Sequence, residues 1–185
     1  MANSFRIRMD SNPQHNLKLL RNICNDHYMG IMKSRKHELD KVQLSKMYGG
    51  NRAVVFWNID GTSGTFHAHS SVSESNHPFK DVYEIKIPET PPRPLNHIDV
   101  DEHKNINLKG WKRDSDSEAK LLQKLATMYT NQSKGYIYLY TRYSPCLSCD
   151  YHIIQFIEKF PEIELHVSYD YDYPHKNQER HIGKK

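Results

Sequence analysis

The sequence has few cysteines and no long apolar segment. Three of its 185 residues are cysteine, so Cys24, Cys146 and Cys149 cannot all pair, and a metal site or a redox pair is favoured over a disulfide framework. No window approaches the roughly 18 uninterrupted apolar residues of a membrane span. The N-terminus also lacks the basic-then-apolar pattern of a signal peptide. We therefore expect a soluble chain with no membrane partner.

Length and charge set loose limits on the fold. A chain of 185 residues is long enough for one compact domain with a substantial core. We divide it into an N-terminal helical extension, residues 1–50, and a main domain, residues 51–185. The net charge of +4 and the pI near 8.8 favour anionic partners, although so small an excess is common in proteins that bind no nucleic acid.

The first half of the chain predicts helices followed by a β-hairpin. Apolar residues recur at helical spacing over 12–48, which indicates two helices before Gly49-Gly50. Strand-forming residues over Arg52–Ile59, a turn at Asp60-Gly61 and a returning strand ending at His69 predict a hairpin. Residues 70–115 are polar and proline-rich, which predicts a long connection with one possible short strand, Asp81–Ile87.

The second half predicts alternating helices and strands. Cap candidates at 114–117 precede a helical pattern, and Tyr136–Thr141 reads as a buried strand. A helix over 147–160 and an alternating strand Ile163–Tyr169 follow. The order hairpin, helix, strand, helix, strand implies an α/β fold in which helices flank a sheet.

Two short motifs carry the chemistry. Cys146 and Cys149 have the spacing that lets two thiolates bind one zinc ion, at a predicted helix start that favours their ionised form. A zinc ion with three protein ligands keeps one position for water, whose pKa can fall toward ~7. Hydrolytic deamination also needs a carboxylate to move protons beside that water. Glu118 is our candidate, with Asp116 two residues earlier facing the metal.

Less specific interpretations of the same residues stay open. The Cys-x-x-Cys motif occurs in structural zinc sites and in redox dithiols, although no second cysteine or histidine pair at zinc-finger spacing follows. Asp116 and Glu118 taken alone would be ordinary charges at a helix start. His67 and His103 are weaker candidates for the third metal ligand.

These motifs resemble the deaminase domains of bacterial polymorphic toxins, in the superfamily of cytidine deaminases, tRNA adenosine deaminases and APOBEC/AID editing enzymes. The resemblance spans roughly residues 52–169 and includes Ala68-His69-Ser70 at the end of the hairpin. Its densest part runs from Asp116-Ser-Glu through Pro145-Cys-Leu-Ser-Cys149 to Pro161. It implies a cytidine deaminase-like three-layer α/β/α sandwich, with a mixed sheet that starts with a β-hairpin and with extra N-terminal helices.

The resemblance also implies roles for individual residues. Asp116, Cys146 and Cys149 would bind one catalytic Zn²⁺, and Glu118 would shuttle the proton. Asp116 stands where the superfamily usually has histidine or cysteine, which is a departure from its pattern. Substrate contacts are expected from four residues: His69, Ser70, Tyr143 and Ser144.

The function that follows is zinc-dependent deamination of cytosine to uracil in nucleic acid. DNA, single-stranded or with the base flipped out, is favoured over RNA as the substrate. The chain would be a secreted or delivered toxin module that acts in the target-cell cytoplasm, with an immunity protein as partner. One alternative is a deaminase of free cytidine or of tRNA adenosine. The other is a binding module that is not an enzyme and whose zinc is structural.

Overall fold

A computed structural model describes residues 15–73, 76–83, 94–96 and 116–172, and the backbone of residues 4–8. The helices and strands in this part of the chain are β1 (Ser4–Arg8), α1 (His15–Arg35), α2 (Lys41–Gly49), β2 (Arg52–Ile59), β3 (Thr62–His69), α3 (Ser117–Met128), β4 (Gly135–Tyr143), α4 (Leu147–Lys159) and β5 (Ile163–Tyr171). A short 3-10 helix, Lys36–Glu38, joins α1 to α2.

The strands form one mixed sheet in the order β1-β5-β4-β2-β3. Strand β2 runs antiparallel to both of its neighbours, β3 and β4. Strands β4 and β5 are parallel, and α4 forms the crossover between them, as parallel neighbours require. The carboxyl end of β4 therefore lies beside the start of α4.

A two-residue turn closes the β2–β3 hairpin. Ile59 pairs with Thr62, and the residues between them, Asp60 and Gly61, have φ angles of 51° and 76°. Positive φ at both central positions is typical of a type I′ turn, whose twist matches that of the strands it joins. The predicted turn at Asp60-Gly61 is confirmed.

Helices cover both faces of the sheet. Helix α1 packs on one face, where Leu17, Leu20 and Cys24 are buried against Val54 and Tyr140. Helices α3 and α4 cover the other face and form the main core with it. Their buried apolar residues include Leu121, Leu122, Leu125, Ile153 and Phe156. This arrangement confirms the predicted three-layer α/β/α sandwich.

The structure differs from the prediction at the first strand. The sheet was expected to start with the hairpin, but β1 precedes it in the chain and pairs in parallel with β5, Ser4 opposite Leu165. Of the possible strand Asp81–Ile87, residues 81–83 lie in turns and bends, and residues 84–87 lie outside the described part. No helix among the described residues is long and apolar enough to cross a membrane.

Candidate metal centre and active site

Helices α3 and α4 begin at two residues whose side chains are turned toward each other. Asp116 is the N-cap of α3 and Cys146 the N-cap of α4, and neither side chain forms a capping hydrogen bond. An aspartate at this position usually accepts a hydrogen bond from its own helix. Here Oδ2 of Asp116 lies 3.3 Å from Sγ of Cys146 and 3.6 Å from Sγ of Cys149.

The three donor atoms fit one tetrahedral zinc ion. The two sulfurs are 3.6 Å apart. Zinc bonds of about 2.3 Å to sulfur and about 2.0 Å to oxygen, at the tetrahedral angle, require about 3.8 Å between sulfurs and about 3.5 Å between sulfur and oxygen. Both cysteines are buried and Asp116 is half-buried. Asp116, Cys146 and Cys149 can thus hold a metal ion with three protein ligands.

The charges at this centre favour a cation. The pKa of Cys149 is raised well above its usual value, first by its hydrogen bond with Cys146, then by burial and by the nearby charges of Glu118, Cys146 and Asp116. A bound divalent ion would favour the thiolate forms by neutralising this cluster of acidic groups. Glu118 is among the charges that act on Cys149, so its carboxyl group lies near the three candidate ligands.

Glu118 is buried and held by three side chains. Its Oε2 accepts a hydrogen bond from Ser117 Oγ at 2.9 Å. Its Oε1 accepts hydrogen bonds from Thr141 Oγ1 and from Asn51 Nδ2, each at 3.0 Å. Burial, aided by the charge of Asp116, raises the pKa of Glu118 to about 7. A carboxyl group with such a pKa can both take up and release a proton near neutral pH.

His69 and Ser70 lie at the end of β3, close to these residues. His69 is fully buried, its Nε2 donates to Met47 O at 3.1 Å, and its Nδ1 accepts from Ser71 N at 3.2 Å. Burial lowers the pKa of His69 to about 3, so the ring is neutral. Ser70 Oγ accepts from Asn51 N at 2.9 Å. Contact of His69 and Ser70 with a substrate stays a prediction.

Tyr143 and Ser144 lead directly into Pro145 and the first cysteine. Tyr143 is buried at the end of β4, with the guanidinium carbon of Arg142 5.0 Å from its ring centre. Its hydroxyl is buried and has no hydrogen-bond partner among the described residues. Ser144 is half-buried, and its N–H donates to Tyr171 O at 2.8 Å. Their expected contact with the base stays a prediction.

Three residues around Glu118 were not singled out from the sequence. Ser117 lies inside the Asp-Ser-Glu motif, where the sequence indicated a helix cap but not a hydrogen bond with the glutamate. Thr141 sits at the end of a predicted strand, and Asn51 precedes another one. No local pattern marks either residue, because their contacts with Glu118 join positions 23 and 67 residues apart.

A three-layer fold with two cysteines and an aspartate that can hold a metal ion, and with a buried glutamate nearby, is the architecture expected of a zinc-dependent deaminase. Residues 33–171 match the sequence model of the toxin-deaminase family, described as the BURPS668_1122 family of deaminases. The match covers most of the chain, so the chain belongs to this family. It is a toxin-type domain with the activity of a hydrolytic deaminase. No match was found among curated proteins or among solved structures.

Proposed function

We propose that this domain converts cytosine to uracil in nucleic acid and requires one zinc ion held by Asp116, Cys146 and Cys149. The observation that supports this most directly is the meeting of three donor atoms at zinc-compatible distances, beside a buried carboxyl group that is not among them. Three protein ligands leave a fourth position, as in catalytic zinc sites, whereas structural sites usually have four protein ligands.

The reaction exchanges the amino group at C4 of cytosine for oxygen. Asp116, Cys146 and Cys149 would hold the zinc ion, which when bound would make a water molecule acidic enough to attack at neutral pH. Glu118 accepts the proton of the attacking water and passes it to the ring nitrogen N3. Glu118 then takes the proton of the hydroxyl group newly bound to C4 and transfers it to the amino group. The C4–N bond breaks, C4 becomes a carbonyl carbon and ammonia leaves. One water molecule is consumed for each uracil formed.

The surroundings of Glu118 suit this role. Burial favours the protonated carboxyl group, while the hydrogen bonds from Ser117 and Thr141 favour the carboxylate. The opposing effects leave the pKa of Glu118 at about 7, which makes proton transfer in both directions efficient near neutral pH. Tyr143 and Ser144 would contact the base from the end of β4, and His69 and Ser70 from the end of β3.

We favour DNA as the substrate and assign the domain to a toxin delivered into the cytoplasm of a target cell. The basic balance of the chain, +4, agrees weakly with a polynucleotide substrate. A toxin of this kind needs an immunity protein in the cell that makes it, and we expect that protein to cover the site described above.

The test measures how fast the purified, zinc-loaded chain deaminates five substrates: single-stranded DNA, duplex DNA, RNA, free cytidine and tRNA adenosine. We expect uracil to form from single-stranded DNA and the activity to be lost when zinc is removed by a chelator. In Glu118→Ala we expect the rate of deamination to fall roughly 100- to 10,000-fold. Glu158→Ala, an exposed glutamate of α4, is the matched control and should keep full activity.

Other outcomes would assign another function. Turnover of cytidine or of tRNA adenosine far above that of DNA would identify a metabolic or tRNA-directed deaminase. An unchanged uracil yield in Glu118→Ala would contradict the role of this residue.

A further inference from the structure

Asn51 lies where the ends of three strands meet. Ala53 pairs with Thr141 of β4 and with Ala68 of β3, so the same pairing continued by two residues brings Asn51 opposite Tyr143 and Ser70. Its backbone is fixed to the end of β3, because Asn51 N donates to Ser70 Oγ and Ser70 N donates to Asn51 O, both at 2.9 Å.

The side-chain amide of Asn51 extends the sheet toward the active site. Its Oδ1 accepts from Tyr143 N at 3.1 Å, in the place where a backbone carbonyl would continue the β2–β4 ladder. Its Nδ2 donates to Glu118 Oε1 at 3.0 Å and to Thr141 Oγ1 at 2.8 Å. A backbone N–H on one side and two acceptors on the other allow one orientation of the amide. Asn51 is therefore held rigidly.

We infer that Asn51 is a positioning residue that fixes the orientation of the Glu118 carboxyl group. Oε1 accepts from both the Asn51 amide and the Thr141 hydroxyl, so its two lone-pair directions are occupied. Oε2 accepts from Ser117 Oγ, so the carboxyl group is held at both of its oxygens. This inference rests on the proposed role of Glu118 as the proton carrier.

The same amide connects Glu118 to the segment expected to contact the base. Because Oδ1 of Asn51 holds the N–H of Tyr143, a shift of this amide moves the carboxyl group and the end of β4 relative to each other. Catalytic groups displaced by about 1 Å can lose roughly 100-fold in rate. Loss of the Asn51 donors should thus reduce kcat while substrate binding is largely kept.

The first test is steady-state deamination of a cytosine-containing single-stranded DNA by zinc-loaded variants. Asn51→Asp keeps the acceptor for Tyr143 N–H and removes both donors, so we expect kcat to fall about 100-fold with little change in KM. Thr141→Val should lower kcat in the same way, and Thr141→Ser should restore it. Asn25→Ala is the control, since Asn25 joins α1 to Arg52 through its Oδ1 and does not contact Glu118.

A normal kcat in Asn51→Asp would overturn the inference, as would a raised KM at unchanged kcat, which would identify a substrate contact instead. Zinc content and the melting temperature of each variant separate these results from unfolding. If Glu118→Ala kept its activity, the proposed function would fail. If Glu118→Ala were inactive and Asn51→Asp active, the positioning role alone would fail.

A second test needs no substrate. The test compares denaturant unfolding of Asn51→Ala, Glu118→Ala and the double variant. The denaturant midpoint of the double variant should fall by less than the sum of the decreases in the two single variants, because both substitutions break the same hydrogen bond. Additive losses would mean that Asn51 and Glu118 do not interact.

Discussion

In the part of the chain that the structure describes, two aspartates are helix N-caps, and their side chains make different contacts. Asp40 caps α2: its carboxylate accepts from Gln43 N at 2.8 Å, and the side chain of Gln43 accepts from Asp40 N at 3.1 Å. Asp116 begins α3 without such a bond and faces the cysteine sulfurs instead. The residue type and the helix position are the same, so the neighbouring thiols distinguish the proposed metal ligand from the capping residue.

This contrast gives a paired prediction. Asp116→Ala should weaken zinc binding by at least about 100-fold, since a ligand matters no less than the surrounding residues whose loss costs 10- to 100-fold. Asp40→Ala should lower the free energy of unfolding by about 1 kcal/mol and leave zinc affinity unchanged. Zinc affinity from chelator competition and denaturant unfolding measure the two effects. Equal zinc affinities in the two variants would contradict a ligand role for Asp116.

Buried His69 predicts a dependence of stability on pH. Burial holds the pKa of His69 at about 3 in the folded chain, below the ~6.5 of an unfolded histidine. Below pH ~6.5 the unfolded chain therefore binds a proton that the folded chain does not. The free energy of unfolding is thus unaffected by His69 above that pH and decreases as the pH falls below it. Between pH 6.5 and 5 the loss due to His69 is roughly 2 kcal/mol.

Urea unfolding from pH 7 to 5 of the native chain and of His69→Gln measures this effect. The variant should lose less stability over the range, because it lacks the buried imidazole, while protonation of the metal ligands affects both proteins alike. If the free energy of unfolding changed with pH in parallel for the two proteins, His69 would not contribute to the pH dependence of stability.

At the scale of elements, a buried lysine ties α3 to the turn after β3. Lys120 Nζ donates to His69 O and Val72 O, each at 2.8 Å, and to Ser73 Oγ at 3.2 Å. Lys120 stands two residues after Glu118 on the same helix. The hydrogen bonds therefore hold the end of the hairpin against the helix that carries the proposed catalytic residue.

Lys120→Met should destabilise the fold by about 2–4 kcal/mol, because Val72 O and Ser73 Oγ lose the ammonium donor and His69 O keeps only the N–H of Val72. Lys124→Met, one turn later on α3 and half-buried, should cost less than about 1 kcal/mol. Denaturant unfolding of both variants measures the difference. Similar losses in the two would indicate that the polar contacts of Lys120 contribute nothing beyond helix packing.

Elements with local signals were predicted correctly, and those without them were missed. Asp60-Gly61 has the residues that a type I′ turn requires, and α4 was expected over 147–160 and observed at Leu147–Lys159. Strand β1 has no such signal, because it pairs with a segment about 160 residues later in the chain. The spacing of Cys146 and Cys149 marked them as a pair, and the family resemblance added Asp116, whereas Asn51 reaches Glu118 only through the strand register.

At the scale of the whole molecule, α1 is a full layer of the fold. The family match begins at residue 33, so almost all of α1 precedes it. Yet Leu17 and Leu20 are buried on the sheet, and Arg21 pairs with Asp170 of β5 at 2.9 Å. Tyr140 also donates to Asp170, at 2.8 Å. Helix α1 thus covers an apolar face that would otherwise be exposed.

A chain that begins at residue 36 should therefore not unfold cooperatively. Two buried leucines alone contribute about 2–5 kcal/mol each, against a total stability of about 5–15 kcal/mol for a typical domain. Arg21→Met, which removes the ion pair and keeps the helix, should still unfold in one transition. Calorimetry distinguishes the two variants. Cooperative unfolding of the shortened chain would make the N-terminal region a dispensable extension.

The centre formed by Asp116, Cys146 and Cys149 is the basis of the proposed chemistry. The most direct test is a crystal structure of the zinc-loaded chain, with anomalous data collected at the zinc edge. We predict one zinc ion bound to these three side chains, with a water molecule as its fourth ligand and the carboxyl group of Glu118 beside that water. A zinc ion at another place, or a fourth ligand supplied by the protein, would contradict this account.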